Sequence, residues 1–257
     1  MASSPDIVII GSGMGGATLA AGLAGSGARV LILEKGEQLQ DTPETRDARA
    51  IFQRGHFRPK ENWLDKDGNP FNPGNYHVVG GNTKFYGAVL FRYRREDFAE
   101  LAFADGGISP AWPFPYEELE PWYSRAEQLY QVRGALGEDP TEPAHSQPYA
   151  HGPVPDEPAI AAVRQRLKAV GLHPASLPLG VDIDRWLARA RTPFDAFPDT
   201  RTGKMDAETC GLAAALKDPN IRLETGAAVK RLETGAGNRI SAIVYDHRGE
   251  EKRLSPA

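Results

Sequence analysis

The chain has 257 residues, 40% of them apolar and 25% charged, with a net charge of −4. That length suffices for one large domain or two small ones around a substantial core, in an ordinary globular composition. Scattered Lys and Arg on an acidic chain speak against a nucleic-acid surface, and a single cysteine, Cys210, excludes an intrachain disulfide and a cysteine zinc site.

The six histidines never fall at metal-ligand spacing and read as surface or loop residues. No targeting segment and no apolar run of bilayer length is visible, so a cytoplasmic protein without a membrane span is expected. The first apolar run, Ile7 to Ile10, is β-branched and predicts a strand buried on both faces of a parallel sheet. Gly11, Gly13 and Gly16 follow as G-x-G-x-x-G, with Ser12 and Met14 between them. An Ala- and Leu-rich helix over 17–25 leads to a second buried strand over 30–33, ending at Glu34 and Lys35.

In such a βαβ unit the first glycine permits a tight turn and the second admits a pyrophosphate. The third lets helix and strand pack closely. The pyrophosphate then lies at a helix N-terminus, where free N–H groups and the dipole favour an anion. Glu34 stands at the spacing of a carboxylate that accepts from a ribose hydroxyl. A lone glycine fingerprint is weak, but one set between strand and helix, with a second strand and an acid in place, predicts a dinucleotide site. The motif by itself fits FAD and NAD equally, and Gly15 and Gly22 read as helix-packing residues.

Residues 37–75 show no periodicity, and "LDKDGNPFNPGN" within them is dense in turn signals. The stretch "YHVVGGNTKFYGAVLFRYR" (76–94) follows. Together with the N-terminal unit and its "LILEKG" run, it resembles the glucose–methanol–choline oxidoreductases. The resemblance implies an α/β, Rossmann-like FAD-binding fold with excursions at about 37–75 and 95–200. It implies further that Gly80, Gly81, Asn82, Thr83, Tyr86, Gly87, Ala88 and Val89 wrap the FAD near its pyrophosphate and ring. The physical ground is that backbone N–H groups reach a bulky planar cofactor only where side chains are small.

Phe85 stands where several members of that family carry a histidine bonded to the flavin, so noncovalent FAD is expected. Tyr86 stands where others have asparagine. The implied reaction is oxidation of an alcohol or sugar CH–OH group, with hydride passing to flavin N5 and electrons then passing to an acceptor such as oxygen or a quinone. In the family the histidine base lies in a C-terminal segment after a substrate domain. The resemblance reaches about the first half of that pattern, so both are expected to be absent, and no histidine of this chain inherits the role. A chain so divided leaves its first strand on a sheet edge and is expected to be marginally stable alone.

Downstream, "PYEELEPWYSRAEQLYQVRG" predicts a helix, with Leu119, Trp122, Tyr123, Ala126, Leu129 and Tyr130 as a core stripe and Pro121 disturbing its early part. A proline-rich connector spans 137–158. Residues 159–171 form an amphipathic helix with Ile160, Val163, Leu167 and Val170 on one face, and another helix is expected over 206–217. Alternation from Asn220 onward predicts a strand followed by an antiparallel meander. There the resemblance places Val229 beside the FAD adenine, while a plain strand valine is an equal reading. Two other functions compete: a nonenzymatic partner-binding protein that reuses the dinucleotide fold, and an NAD-dependent dehydrogenase, which leaves the second glycine loop without a task.

Overall fold

The computed structural model describes residues 4–188, 195–200 and 203–255. In chain order the first elements are β1 (Ile7–Ile10), α1 (Met14–Leu23), β2 (Val30–Leu33), β3 (Trp63–Leu64), β4 (Pro70–Phe71), β5 (Leu101–Ala102) and β6 (Ile108–Ser109). Helices α2 (Tyr116–Leu129), α3 (Pro158–Ala169), α4 (Ile183–Ala188) and α5 (Ala213–Ala215) follow. The chain closes with β7 (Ile221–Glu224), β8 (Ala227–Thr234), β9 (Ile240–His247) and β10 (Glu250–Leu254). They divide into two compact units, one made of residues 1–87 with 184–257 and the other of residues 88–183.

The first unit is built on a parallel sheet of order β1-β2-β7, with Ile7 opposite Val30 and Val30 opposite Ile221. All four residues of the central strand β2 are buried. Val30 and Ile32 pack with Ala17 and Ala20 of α1, while Leu31 and Leu33 pack with Ala227 and Tyr245 of the antiparallel meander β8-β9-β10. This two-sided cover is why β2 reads as an uninterrupted apolar run. Each of its large side chains contributes about 1.5–3 kcal/mol by leaving water. The outer strand β1 is only partly covered, and Ile10 remains half exposed.

The second unit starts and finishes as a paired stem: Gly180 N–H donates to Ala88 O at 2.9 Å and Leu90 N–H to Pro178 O at 2.9 Å. Its interior is polar at the centre. Arg92, buried, makes a two-pronged bond to Glu127 (Nε to Oε1 2.7 Å, Nη2 to Oε2 2.6 Å) and donates to Tyr116 Oη at 2.8 Å and Glu120 Oε1 at 3.1 Å.

That network adds polar residues to the expected stripe on α2, which the structure corrects at Trp122. The helix continues through Pro121 and buries Tyr116, Ser124 and Glu127; of the expected stripe Tyr130 is buried, Leu119, Tyr123, Ala126 and Leu129 are half-buried, and Trp122 is exposed. A buried guanidinium needs carboxylates around it, and α2 turns Glu120 and Glu127 inward to supply them. Helix α3 lies where expected yet buries none of its residues, and Ile160, Val163 and Val170 are exposed. The predicted helix over 206–217 is a π-helical segment, Ala207–Leu212, running into the short α5. No helix among the described residues is long and apolar enough to cross a membrane.

Candidate functional site

The turn from β1 into α1 carries the first glycine loop. A Cβ added at Gly16 would stand 2.0 Å from Gly11 O, so helix and turn approach as closely as backbones can. At Gly13 and Gly15 the same addition meets nothing within 4 Å, so the loop presents an open ledge there. Gly13 caps α1 without a side-chain bond, and the first turn holds no acid, so its N–H groups face the ledge without a competing anion.

Beneath the ledge Ser12 is fully buried. Its main-chain N–H and its hydroxyl both donate to Glu34 Oε2, at 2.8 and 2.6 Å, and its Oγ accepts from Gly80 N–H at 3.1 Å. Glu34, also buried, accepts with its other oxygen from Gly36 N–H at 2.8 Å. Three of a carboxylate's roughly four acceptor positions are thus engaged by the protein, leaving one. Ser12 therefore ties the first glycine loop, the acid at the end of β2 and the second glycine loop into one structure.

The second loop closes over the first. Gly80 and Gly81 have φ of +85° and +57°, and a Cβ on Gly81 would lie 3.5 Å from Gly13 Cα. Asn82 accepts from Tyr76 N–H at 2.8 Å through its side chain, and Thr83 Oγ1 donates to Gly80 O at 2.6 Å. Phe85 is buried with its ring stacked on Tyr76, 3.7 Å between centroids.

From the far side of the sequence, Asp199 and residues 204–208 hold this loop. Ala207 N–H donates to Thr83 Oγ1 (3.1 Å), Tyr86 Oη donates to Met205 O (2.7 Å), and Lys204 Nζ donates to Tyr86 O (2.7 Å). Asp199 N–H bonds Lys84 O at 3.1 Å. Lys84, itself buried, pairs with Asp206 at 3.0 Å and with Glu208. Burial works against the Lys84 ammonium, but the two carboxylates outweigh it and hold its pKa above the ordinary lysine value.

The fold thus places Gly11, Ser12, Gly13, Met14, Gly16, Glu34 and Gly80 to Gly87 in the first unit, brings Gly80 and Gly81 against Ser12 and Gly13, and sets a Gly87 Cβ 2.9 Å from Asp195 Oδ1. Lys35 belongs to the same unit but is half exposed and ion-paired to Glu61 at 2.6 Å. Ala88 and Val89 fall in the second unit, where they form its stem. Val229 lies on β8 opposite Tyr245 and packs beside Leu31, Leu33 and Ala227, the environment of a strand valine.

Two contributors escape a sequence reading. Gly36 is required because His77 passes directly over it: a Cβ there would sit 2.2 Å from His77 C. The glycine after the acid–base pair of "LEKG" is its only signal. Lys204, fully buried beneath Tyr86, has none. No group of His, Cys, Asp and Glu among the described residues could hold a metal ion.

Comparison with known proteins matches residues 6–254 to the FAD dependent oxidoreductase family. The 6'''-hydroxyparomomycin C oxidase of Streptomyces lividus is 32% identical over 248 residues, covering 93% of this chain and 44% of that protein. The fructose dehydrogenase large subunit of Gluconobacter japonicus is 26% identical, covering 94% of this chain and 48% of its own length. The chain therefore spans less than half of either relative. Pyridoxine 4-oxidase from Mesorbium loti shares the fold, with a TM-score of 0.56, 21% identity, and cover of 98% of this chain and 48% of that one.

Proposed function

Because the chain belongs to the FAD-dependent oxidoreductase family, we propose that it is the FAD-binding part of a glucose–methanol–choline type enzyme oxidising a CH–OH group of an alcohol or sugar. The observation that carries this reading is the joining of the two glycine loops through Ser12, whose Oγ accepts from Gly80 N–H and donates to Glu34. The residues present fit a dinucleotide: the space beyond Gly13 and Gly15 is open while that behind Gly16 is filled.

In this reading Gly11, Ser12, Gly13, Met14 and Gly16 hold the pyrophosphate against the start of α1. Glu34 offers its remaining lone pair to the ribose, with Lys35 at the rim. Gly80 and Gly81, whose N–H groups are engaged by Ser12 Oγ and Val78 O, present small surface to the ring system, with Asn82, Thr83, Tyr86 and Gly87 beside them. Val229 is assigned to an outer contact. When bound, FAD supplies the acceptor for the hydride that the substrate's C–H bond gives up. The chain's residues bind and orient that group, and we assign the base to none of them. Phe85 offers no nucleophilic atom, so the cofactor is held noncovalently.

The relatives named for 6'''-hydroxyparomomycin C and for fructose favour a sugar hydroxyl as the substrate group. The test is a visible absorption spectrum of the purified chain with added FAD, before and after acid precipitation. Flavin bands that leave with the acid supernatant are the expected result. A chain that takes up no flavin overturns the reading, and flavin retained in the pellet overturns the noncovalent assignment.

A further inference from the structure

The strands and glycine loops account for the ledge, but not for a second set of groups, from Asp199 and residues 204–208, that grips the second glycine loop. Lys204 has its side chain fully buried, with its ammonium 6.0 Å from the ring centroid of Tyr86 and 5.7 Å from that of Trp186. Its main-chain N–H donates to Asp199 Oδ2 at 2.8 Å, which fixes the backbone from which the side chain projects. Burying an ammonium is costly unless it is bonded, and here one of its three donors goes to the carbonyl of Tyr86, at the end of the second glycine loop. A structural filler at this place would be an apolar side chain of similar length, such as methionine.

We propose that Lys204 is a positioning residue for the FAD: it fixes the Tyr86 carbonyl, and with it the peptide plane entering Gly87, so that the loop faces the cofactor in one conformation. The inference rests on the FAD-binding reading given above. The bonds from Ala207 N–H to Thr83 and from Tyr86 Oη to Met205 O are the companion anchors, and together the three span the loop from Thr83 to Tyr86. Lys204 acts through Tyr86 and is given no contact with the cofactor itself.

The experiment compares the full chain with Lys204→Met, Lys204→Arg and Tyr86→Phe. Each is titrated with FAD, its flavin absorption bands are recorded, and its thermal melt is measured without FAD. Lys204→Met is expected to weaken FAD about tenfold or more, the loss of one charged hydrogen bond, and to displace the flavin bands. Lys204→Arg keeps charge and donors and is expected to restore most of the affinity. Tyr86→Phe removes the companion anchor and is expected to weaken FAD while the FAD-free melt stays near that of the unaltered chain.

A Lys204→Met chain that melts normally and binds FAD with unaltered affinity and bands overturns the proposal. If Lys204→Met does not fold, unaltered FAD binding by Tyr86→Phe overturns it instead. Failure of the unaltered chain to bind FAD is a different outcome, in which the FAD-binding reading falls and takes this inference with it.

Discussion

Gly13 and Gly16 stand in the same short loop, yet the two answer to different neighbours. The space behind Gly16 is taken by Gly11 O and by Ile9 Cγ2, so Gly16→Ala must push strand and helix apart. It is expected to cost about 1–3 kcal/mol of stability, the range for overpacking a close contact. Gly13→Ala meets no atom of the chain, and with φ of −67° its backbone suits alanine. Its melt is therefore expected to match that of the unaltered chain, while FAD binding falls at least about tenfold because the methyl occupies the ledge. Equal FAD affinity in Gly13→Ala would remove the ledge as the pyrophosphate site. The roles of these glycines were legible because strand, glycines and helix follow one another in sequence. That of Gly36 was not, since the backbone that crowds it belongs to His77, far along the chain.

At the scale of elements, α2 shows where periodicity misleads. Its apolar residues do recur at helical spacing, but the buried face is set by Arg92, which is satisfied only if Glu120 and Glu127 turn inward. A hydrophobic count has no means of seeing a cation contributed by another segment. The same network makes the second unit sensitive to acid. His145 is buried with Nε2 3.2 Å from Glu142 Oε1 and Nδ1 3.6 Å from Glu127 Oε2, with Tyr149 donating to Glu142 alongside. Burial first, and the Arg92 charge second, lower its pKa below the ordinary 6.5 despite those carboxylates.

A depressed folded-state value means that His145 contributes stability above pH 6.5, which is lost as pH falls through the folded value. Glu120 adds a second window. Burial raises its pKa, but the Ser146 N–H, Ser124 and Arg92 outweigh it and bring it to about 2, so its contribution is lost between pH 4.5 and 2. The melt at pH 5.5 is expected to lie below that at pH 7.5, with a smaller difference in His145→Gln. An unchanged difference in that variant assigns the loss to other groups.

At the scale of the whole molecule, the parallel core, the glycine loops and the closing meander could all be read from sequence, because each is local or set by one repeating pattern. The interruption of the first unit by residues 88–183 could not be placed to the residue, since its boundaries are drawn by pairing between Ala88 and Gly180, segments far apart in the chain. Nor could the hold of residues 204–208 on the second glycine loop, which depends on buried Lys204, with no motif around it, and on the pairing of Lys84 with Asp206. The long-range segments are the ones that decide how the ledge is shaped.

Cys210, the single cysteine, is buried on the helical segment that begins just after Asp206, with Sγ 3.7 Å from Met205 Sδ. Burial, helped by the Asp206 charge, pushes its pKa up to about 12, so the closed protein keeps it as an unreactive thiol at neutral pH. Only a molecule in which this segment has lifted offers a nucleophile. The chain thus carries its own clock. With a thiol reagent in excess, one labelling event per molecule times the opening of the very segment that grips the second glycine loop. Saturating FAD is expected to slow that clock, and a rate unaffected by FAD would mean that cofactor and segment move independently.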